Sequence, residues 1–268
     1  MFILQHTKDE HNKTFGVSPE VAVVKELLDE QAWLHNQLVP AYRYKTLETL
    51  TKEDVERGIP VGSVDFVNRA LELLGLDEQT PLLIPEKLNC NALLSRKIGI
   101  YAKEYLPELF QEHDKLFLKS AIELKSSYTG IYKKGDPLPS GIGFFVSEVV
   151  DFKSEWRCFV YKGKLVALKH YDGNPFLVPD KEIIYHAINR IKDDIDAFTL
   201  DVGVIETPTC KSKTAIVEVH NFTSCAFYGF EDQIILRMLE AGWEYAKVHN
   251  YKPAINMISN LIGDFFKK

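Results

Sequence analysis

Two acidic side chains stand among apolar residues in two strand-like segments of the chain. Asp201 lies in the run 199–204, and Glu218 lies in the run 215–222. If these runs pair as a hairpin, the two carboxylates converge. Hard cations such as Mg²⁺ bind clusters of oxygen ligands of this kind beside a substrate phosphate. The alternative is a half-exposed hairpin whose acids are solvated, since acids are common on strand positions that face water.

The residues around Glu218 supply candidates for a third ligand. Alternation along a strand predicts Val217 and Val219 on one face, and Glu218 and His220 on the other. His220 is therefore a candidate metal ligand or general base, or else a polar residue at an edge. A bulge in the strand would instead bring in the side-chain carbonyl of Asn221.

A lysine and an arginine lie earlier in the chain, on other predicted strands. Lys119 ends the apolar strand 115–119 and precedes a small polar loop, 126–130, whose backbone N–H groups could cradle a phosphate. The alternative is a solvated lysine at a strand end. Arg157 shares a strand face with Glu155. The two side chains form either a surface ion pair or a binding site in which the acid contacts a ribose and the arginine contacts a phosphate.

A second lysine lies on the strand that follows. Lys169 and Tyr171 share one face of that strand. If the neighbouring strands pair, Arg157 and Lys169 line one pocket. Two cations so close together, without an acidic partner, favour the binding of an anion between them.

The composition narrows the class of protein. The chain has 268 residues, 46% hydrophobic and 26% charged, with a net charge of −6. This describes an ordinary globular protein of one large or two modest domains. Electrostatic binding of nucleic acid is not favoured, because no basic run is present. No segment approaches 18 apolar residues, so a membrane span is not expected.

The cysteines and a group of aromatic residues are assigned to structure rather than chemistry. The four cysteines form no CxxC pair, which argues against zinc and a disulfide framework and predicts a reducing cytoplasm: Cys90, Cys158, Cys210 and Cys225. Cys158 alternates away from Arg157 and is predicted in the core. An aromatic cluster is interpreted as packing: Phe222, Phe227, Tyr228 and Phe230.

The predicted secondary structure that positions these residues differs between the first third of the chain and its middle. In the first third, strands alternate with helices: a strand at 2–5, and helices at 19–36, 64–74 and 93–105. The middle is rich in strands, at 115–119, 144–150, 156–161 and 164–171, with Lys162-Gly163 as a tight turn. A helix at 181–195, the acidic hairpin and a helix at 231–248 follow.

The order of these parts resembles the ATP-grasp superfamily over roughly residues 93–230. The resemblance rests on Lys119, the polar loop, the acid Glu155 seven residues after Glu148, and the paired acidic strands. It implies that Glu148 to Val150 form a hinge at the adenine and that Glu155 binds the ribose. It also implies that Lys97, Lys119 and Ser127 contact the nucleotide, and that metal is held by Asp201 and Glu218 with His220 or Asn221.

Within that superfamily, the chain is most similar to a divergent clade named for one arginine and two lysines. The similarity lies in 154–160, Lys169 and 218–222, and it matches the clade's arginine to Arg157 and its lysines to Lys119 and Lys169. Two features depart from the usual pattern. The position two residues after the metal glutamate holds His220 instead of Asn, and the loop 126–130 has a single glycine.

The resemblance implies ATP and Mg²⁺ as cofactors and catalytic roles for Arg157, Lys169 and His220. We expect an α+β chain with a small α/β domain at 1–106 and an ATP-grasp domain of antiparallel sheets and helices at 107–268. The implied reaction joins a carboxylate to an amine through an acyl phosphate, on a peptide or protein. A phosphotransferase and a non-catalytic nucleotide-binding assembly factor stay open as alternatives.

Overall fold

A computed structural model describes residues 1–9, 14–39, 41–124, 126–206 and 212–249. Cys210 therefore lies outside the described residues. The strands are β1 (Phe2–Gln5), β2 (Thr7–Asp9), β3 (Thr14–Gly16), β4 (Tyr42–Lys45), β5 (Ile59–Val61), β6 (Ile98–Ala102), β7 (Lys115–Ser120), β8 (Gly130–Lys133), β9 (Gly143–Glu148), β10 (Ser154–Tyr161), β11 (Lys164–Gly173), β12 (Ala197–Ile205) and β13 (Lys213–Asn221). The α-helices are α1 (Pro19–Leu34), α2 (Lys52–Arg57), α3 (Val64–Leu73), α4 (Asn91–Leu94), α5 (Leu106–Glu112), α6 (Lys181–Ile191) and α7 (Ile234–Val248). Within these ranges, no helix has the length and apolar character needed to cross a membrane.

The first part of the chain builds a small parallel sheet. β1 lies between β4 and β5 and pairs with both in parallel. Ser18 caps α1 by accepting a hydrogen bond from the backbone of Val21, and Pro19 occupies its first turn. α7 returns to this part of the molecule, where Trp243 packs in the same cluster as Ile3. α7 thus helps to bury the first sheet.

β2 and β3 form a separate two-stranded sheet, and the later strands form two antiparallel sheets of four strands each. One has the order β6-β9-β7-β8 and the other has the order β11-β10-β12-β13. The hairpin between β10 and β11 turns at Lys162 and Gly163, whose φ angles of 47° and 70° are both positive. β6 precedes the boundary predicted at 106/107 and pairs with β9 beyond it. The boundary itself stays a prediction.

The helix predicted over 93–105 is wrong, because a strand occupies the middle of this segment. α4 stops at Leu94, and Ser95 adopts a left-handed conformation with φ 55°. Residues 98–102 then form β6, which pairs antiparallel with β9. The ladder of backbone hydrogen bonds with β9 overrides the helical spacing of the apolar side chains.

The hairpin of β12 and β13 forms as predicted, with one irregularity. Asp201 pairs with Glu218, but Val202 pairs with Ile216, so Val217 has no partner on β12. This is a β-bulge. Regular alternation therefore breaks at Val217, and Ile216 packs in the same core cluster as a residue three positions later, Val219. Because the bulge precedes Glu218, it leaves the alternation after Glu218 intact.

The close approach of α7 to the end of β13 predicts a stability effect. A Cβ on Gly242 would overlap the backbone carbonyl of Phe222. We expect Gly242→Ala to lower the free energy of unfolding by about 1–3 kcal/mol, measured by urea denaturation. Gly130→Ala is the matched control, since its Cβ would meet nothing within 4 Å. Equal denaturation midpoints for the two variants would contradict this packing.

Candidate functional site

Four of the predicted site residues lie in one row across the second sheet. Lys169 on β11 pairs with Arg157 on β10, and Arg157 pairs with Asp201 on β12. Asp201 in turn pairs with Glu218 on β13. Directly opposed residues of neighbouring strands lie about 5 Å apart. The row therefore brings two cations and two carboxylates together from four separate parts of the chain.

The centre of the row is a buried ion pair. Arg157 Nε donates to Asp201 Oδ1 at 2.8 Å, and Nη2 donates to Oδ2 at 2.7 Å. The two side chains are only 8% and 2% exposed. Burial raises the pKa of the Asp201 carboxyl, and the two hydrogen bonds from Arg157 oppose that rise. The structure thus gives Arg157 an acidic partner in place of the unpaired position expected beside Lys169.

Two tyrosines contact the guanidinium of Arg157. It lies 5.1 Å from the ring centroid of Tyr228 and 5.9 Å from that of Tyr171. The two rings stack on each other at 4.9 Å, and Arg157 Nη1 also donates to the carbonyl of Ala226. Tyr228 was predicted as packing, but the residue is 43% exposed and contacts the site. The guanidinium therefore lies beside a stacked pair of rings, where cation–π attraction adds to its contacts.

Glu218 joins the two antiparallel sheets at the site. Its Oε1 lies 2.7 Å from His220 Nε2, and its Oε2 accepts a hydrogen bond at 3.2 Å from Lys119 of β7. Burial raises the pKa of Glu218, but the hydrogen bond and charge of His220 and the charge of Lys119 outweigh this effect. The pKa of Glu218 therefore lies well below its ordinary value. The carboxylate is ionised and available to a cation.

The residues predicted for the hinge and the ribose lie on β9 and β10, in different sheets. The backbone N–H of Lys97 donates to Glu148 Oε2 at 2.8 Å, and the backbone N–H of Glu148 donates to the carbonyl of Lys97. Glu155 lies two residues before Arg157 and accepts a hydrogen bond from the Tyr171 hydroxyl at 2.7 Å. Burial raises the pKa of Glu155.

The remaining predicted residues are less constrained. Val150 is half-buried in the segment after β9, and Ser127 is exposed in the turn before β8. The side chain of Lys97 is exposed as well. Among the residues that the structure describes, Lys169 has no carboxylate within 4.0 Å, in contrast to Arg157 and Lys119.

A cavity of about 490 Å³ opens beside the row. Arg157, Glu218 and Lys119 line one side of it, while the segment 79–82 and the loop 223–226 line other parts. The hinge residues do not border this cavity. It therefore has room for a further ligand next to the charged groups and away from the hinge.

The donor set of the site fits Mg²⁺. Magnesium in proteins is held by one or two carboxylates together with phosphate oxygens and water. Asp201 and Glu218 supply two neighbouring carboxylates, while no group of three or more His, Cys, Asp or Glu lies within metal-binding reach in the described ranges. The Nδ2 of Asn221 donates to the Gly242 carbonyl, and its buried Oδ1 has no partner among the described atoms. This orphaned oxygen suits a hard cation.

One buried cation next to the site was missed. Arg96 is 8% exposed and donates hydrogen bonds to Ser147 and to the backbone carbonyls of Leu94, Ile216 and Val217. Its only sequence clue was its place beside Lys97. Its hydrogen-bond partners are largely backbone carbonyls, and the pattern of side chains along the sequence does not predict such contacts.

The fold and the row of charged residues define an ATP-grasp protein. A family model matches residues 94–238, and it describes an ATP-grasp domain, family 2 of the clade named for one arginine and two lysines. Because this match covers more than half of the chain, the chain belongs to that family. The predicted resemblance to the ATP-grasp superfamily, and to its arginine-and-two-lysine clade, is therefore confirmed.

Solved structures share this fold at low sequence identity. The RimK domain protein ATP-grasp from Sphaerobacter thermophilus DSM 20745 is 11% identical, with 92% of this chain and 99% of that chain covered and a TM-score of 0.51. D-alanine–D-alanine ligase from Bacillus anthracis is 13% identical, with 92% and 98% covered and a TM-score of 0.50. ATP-grasp ligase PsnB, solved with a minimal precursor, Mg and ADP, is 12% identical, with a TM-score of 0.40 and 59% of this chain covered. This chain spans just over half of PsnB, 56% of its length. No curated protein matches the sequence.

The buried ion pair at the centre of the row predicts a large stability effect. Asp201→Asn removes the charge that compensates Arg157 inside the sheet. We expect the free energy of unfolding to fall by about 3–5 kcal/mol, measured by urea denaturation without ligands. The matched control is Asp194→Asn, which breaks an exposed pair with Lys87 and costs no more than about 1 kcal/mol. Similar losses in both variants would contradict the central role of this pair.

Proposed function

We propose that the protein is an ATP- and Mg²⁺-dependent ligase that joins a carboxylate to an amine through an acyl phosphate. The observation that carries this proposal is the row of Lys169, Arg157, Asp201 and Glu218, with Lys119 bonded to Glu218 from the facing sheet. A triphosphate with a divalent cation needs such an alternation of positive groups and carboxylates. The family membership supports the nucleotide.

The nucleotide spans the two antiparallel sheets in this proposal. Glu148 and Val150 contact the adenine, and Glu155 binds the ribose hydroxyls. Lys119 and Lys169 bind phosphate oxygens, together with Arg157, whose guanidinium is already oriented by Asp201 and two tyrosines. The side chains of Lys97 and Ser127 are exposed. In this proposal they also bind the nucleotide.

The magnesium ligands come from the two strands of the acidic hairpin. Asp201 and Glu218 are the carboxylate ligands. The third ligand is His220 or Asn221: His220 shares the strand face of Glu218, while the Oδ1 of Asn221 lacks a partner among the described atoms. The metal supplies charge neutralisation at the transferring phosphoryl group. Arg157 and the lysines add positive charge on the other phosphate oxygens.

The reaction then needs two displacements. A substrate carboxylate oxygen attacks the γ-phosphorus, and ADP leaves. The amine attacks the acyl carbon, the bond from that carbon to the phosphate oxygen breaks, and inorganic phosphate leaves. His220 in its neutral form accepts, at Nδ1, the proton that the amine loses, because its Nε2 is held 2.7 Å from Glu218. The cavity of about 490 Å³ beside the row receives the substrates, which we assign to a peptide or protein.

Metal-dependent nucleotide binding tests the site. Calorimetry should detect ATP binding that tightens when Mg²⁺ is present. In Glu218→Gln, the increase in ATP affinity caused by Mg²⁺ should be smaller by about tenfold or more. Loss of a group that only orients a metal ligand already has an effect of this size. Glu123→Gln, which removes the same charge from the same cavity, is the matched control and should keep the gain. An undiminished gain in Glu218→Gln would contradict the assignment.

Product analysis tests the reaction class. Incubation with ATP, a carboxylate and an amine should release phosphate only when the amine is present. Phosphate retained on an acid-stable and base-stable product would identify a phosphotransferase instead. Tight ATP binding with neither product, across a library of peptide acceptors, would favour the nucleotide-binding assembly factor.

A further inference from the structure

The guanidinium of Arg96 holds the bulge that precedes Glu218. Its Nη1 donates to the carbonyl of Ile216 at 2.6 Å, and Nη2 donates to the carbonyl of Val217 at 3.1 Å. Val217 is the bulged residue, which lacks a partner on β12. A buried backbone carbonyl without a hydrogen bond is costly, and a bulge disrupts the ladder that would supply one. Arg96 supplies these bonds from outside the sheet.

Arg96 also reaches the facing sheet, next to the hinge. Its Nε donates to Ser147 Oγ at 2.9 Å, and the Ser147 hydroxyl donates to the Glu148 carbonyl at 2.8 Å. A chain of hydrogen bonds therefore runs from the predicted adenine hinge to the strand that carries Glu218. The two ends of the proposed nucleotide site share one side chain.

The surroundings of Arg96 are unusual for a buried cation. No carboxylate within the described ranges lies within 4.0 Å of it, and backbone carbonyls provide most of its hydrogen bonds. Burial lowers its pKa to about 10. A buried charge without an ionic partner is expensive. Lysine could not replace it, because only a planar fork reaches two successive carbonyls in this way.

We infer that Arg96 is a positioning residue that fixes Glu218 for the metal by fixing the β13 bulge. The inference rests on the proposed function, because it assigns Glu218 to magnesium. Without Arg96, the two bulge carbonyls must find other donors. The register between Asp201 and Glu218 then loosens, and the carboxylates no longer converge on one cation.

The test compares ATP affinity with and without Mg²⁺ by calorimetry, as the ratio of the two dissociation constants. Arg96→Lys keeps the charge and loses the fork. We expect the ratio to fall by about tenfold or more, as for loss of groups that orient metal ligands. One matched control should keep the ratio of the parent protein. Arg190→Lys likewise removes an arginine–carbonyl hydrogen bond, to Lys87, but outside the proposed site.

A second measurement reads the bulge in the protein without ligands. Amide hydrogen exchange across 216–219 should speed up in Arg96→Lys and stay unchanged in Arg190→Lys. Should Arg96→Lys fail to fold, deletion of Val217 from it should restore cooperative unfolding, because a strand without the bulge pairs regularly. Failure of that rescue would overturn the inference.

The outcomes separate this inference from the proposed function. An unchanged magnesium ratio in folded Arg96→Lys overturns the inference and leaves the proposed function standing. If Mg²⁺ does not change the ATP affinity of the parent protein, the proposed function is wrong, and the inference that rests on it is wrong as well. A lower ratio in Arg96→Lys, with the ratio unchanged in Arg190→Lys, supports the inference.

Discussion

The arrangement of the site depends on one buried pair, the bidentate contact of Arg157 with Asp201. Two charges inside a sheet are stable only when each satisfies the other, and this pair does so with two hydrogen bonds of 2.7–2.8 Å. The pair sits between Lys169 and Glu218 in the same row. It therefore separates a lysine that has no acidic partner among the described residues from a carboxylate that is bonded to Lys119 of the facing sheet.

This balance explains how one surface suits both phosphate and metal. The charges in the row are nearly neutralised in pairs, so the fold does not have to bear strong repulsion in the absence of ligand. In the proposed function, the negative triphosphate binds the cationic side chains of these pairs. The divalent cation binds their carboxylates. Asp201 and the two tyrosines that contact Arg157 hold its fork in place, which in the proposed function lowers the entropy lost on binding a phosphate.

Much of the site could be predicted because charge stands out in apolar strands. Each charged residue of the row lies in an apolar strand sequence. Alternation along the strands assigned a face to Glu218, Arg157 and Lys169. The register that aligns them was not predictable, since it is set by pairing over tens of residues and by a bulge at Val217. β6 was missed because pairing with β9 overrides local helical spacing. Arg96 was missed because backbone carbonyls are its main partners.

The most direct test of the central claim is a crystal structure with a non-hydrolysable ATP analogue and Mg²⁺. The account predicts the triphosphate over the row of Lys169, Arg157, Asp201 and Glu218, with the metal on both carboxylates. It also predicts the side chain of His220 or Asn221 within coordination distance of the metal. Nucleotide density elsewhere, or a metal that touches neither carboxylate, would contradict the account.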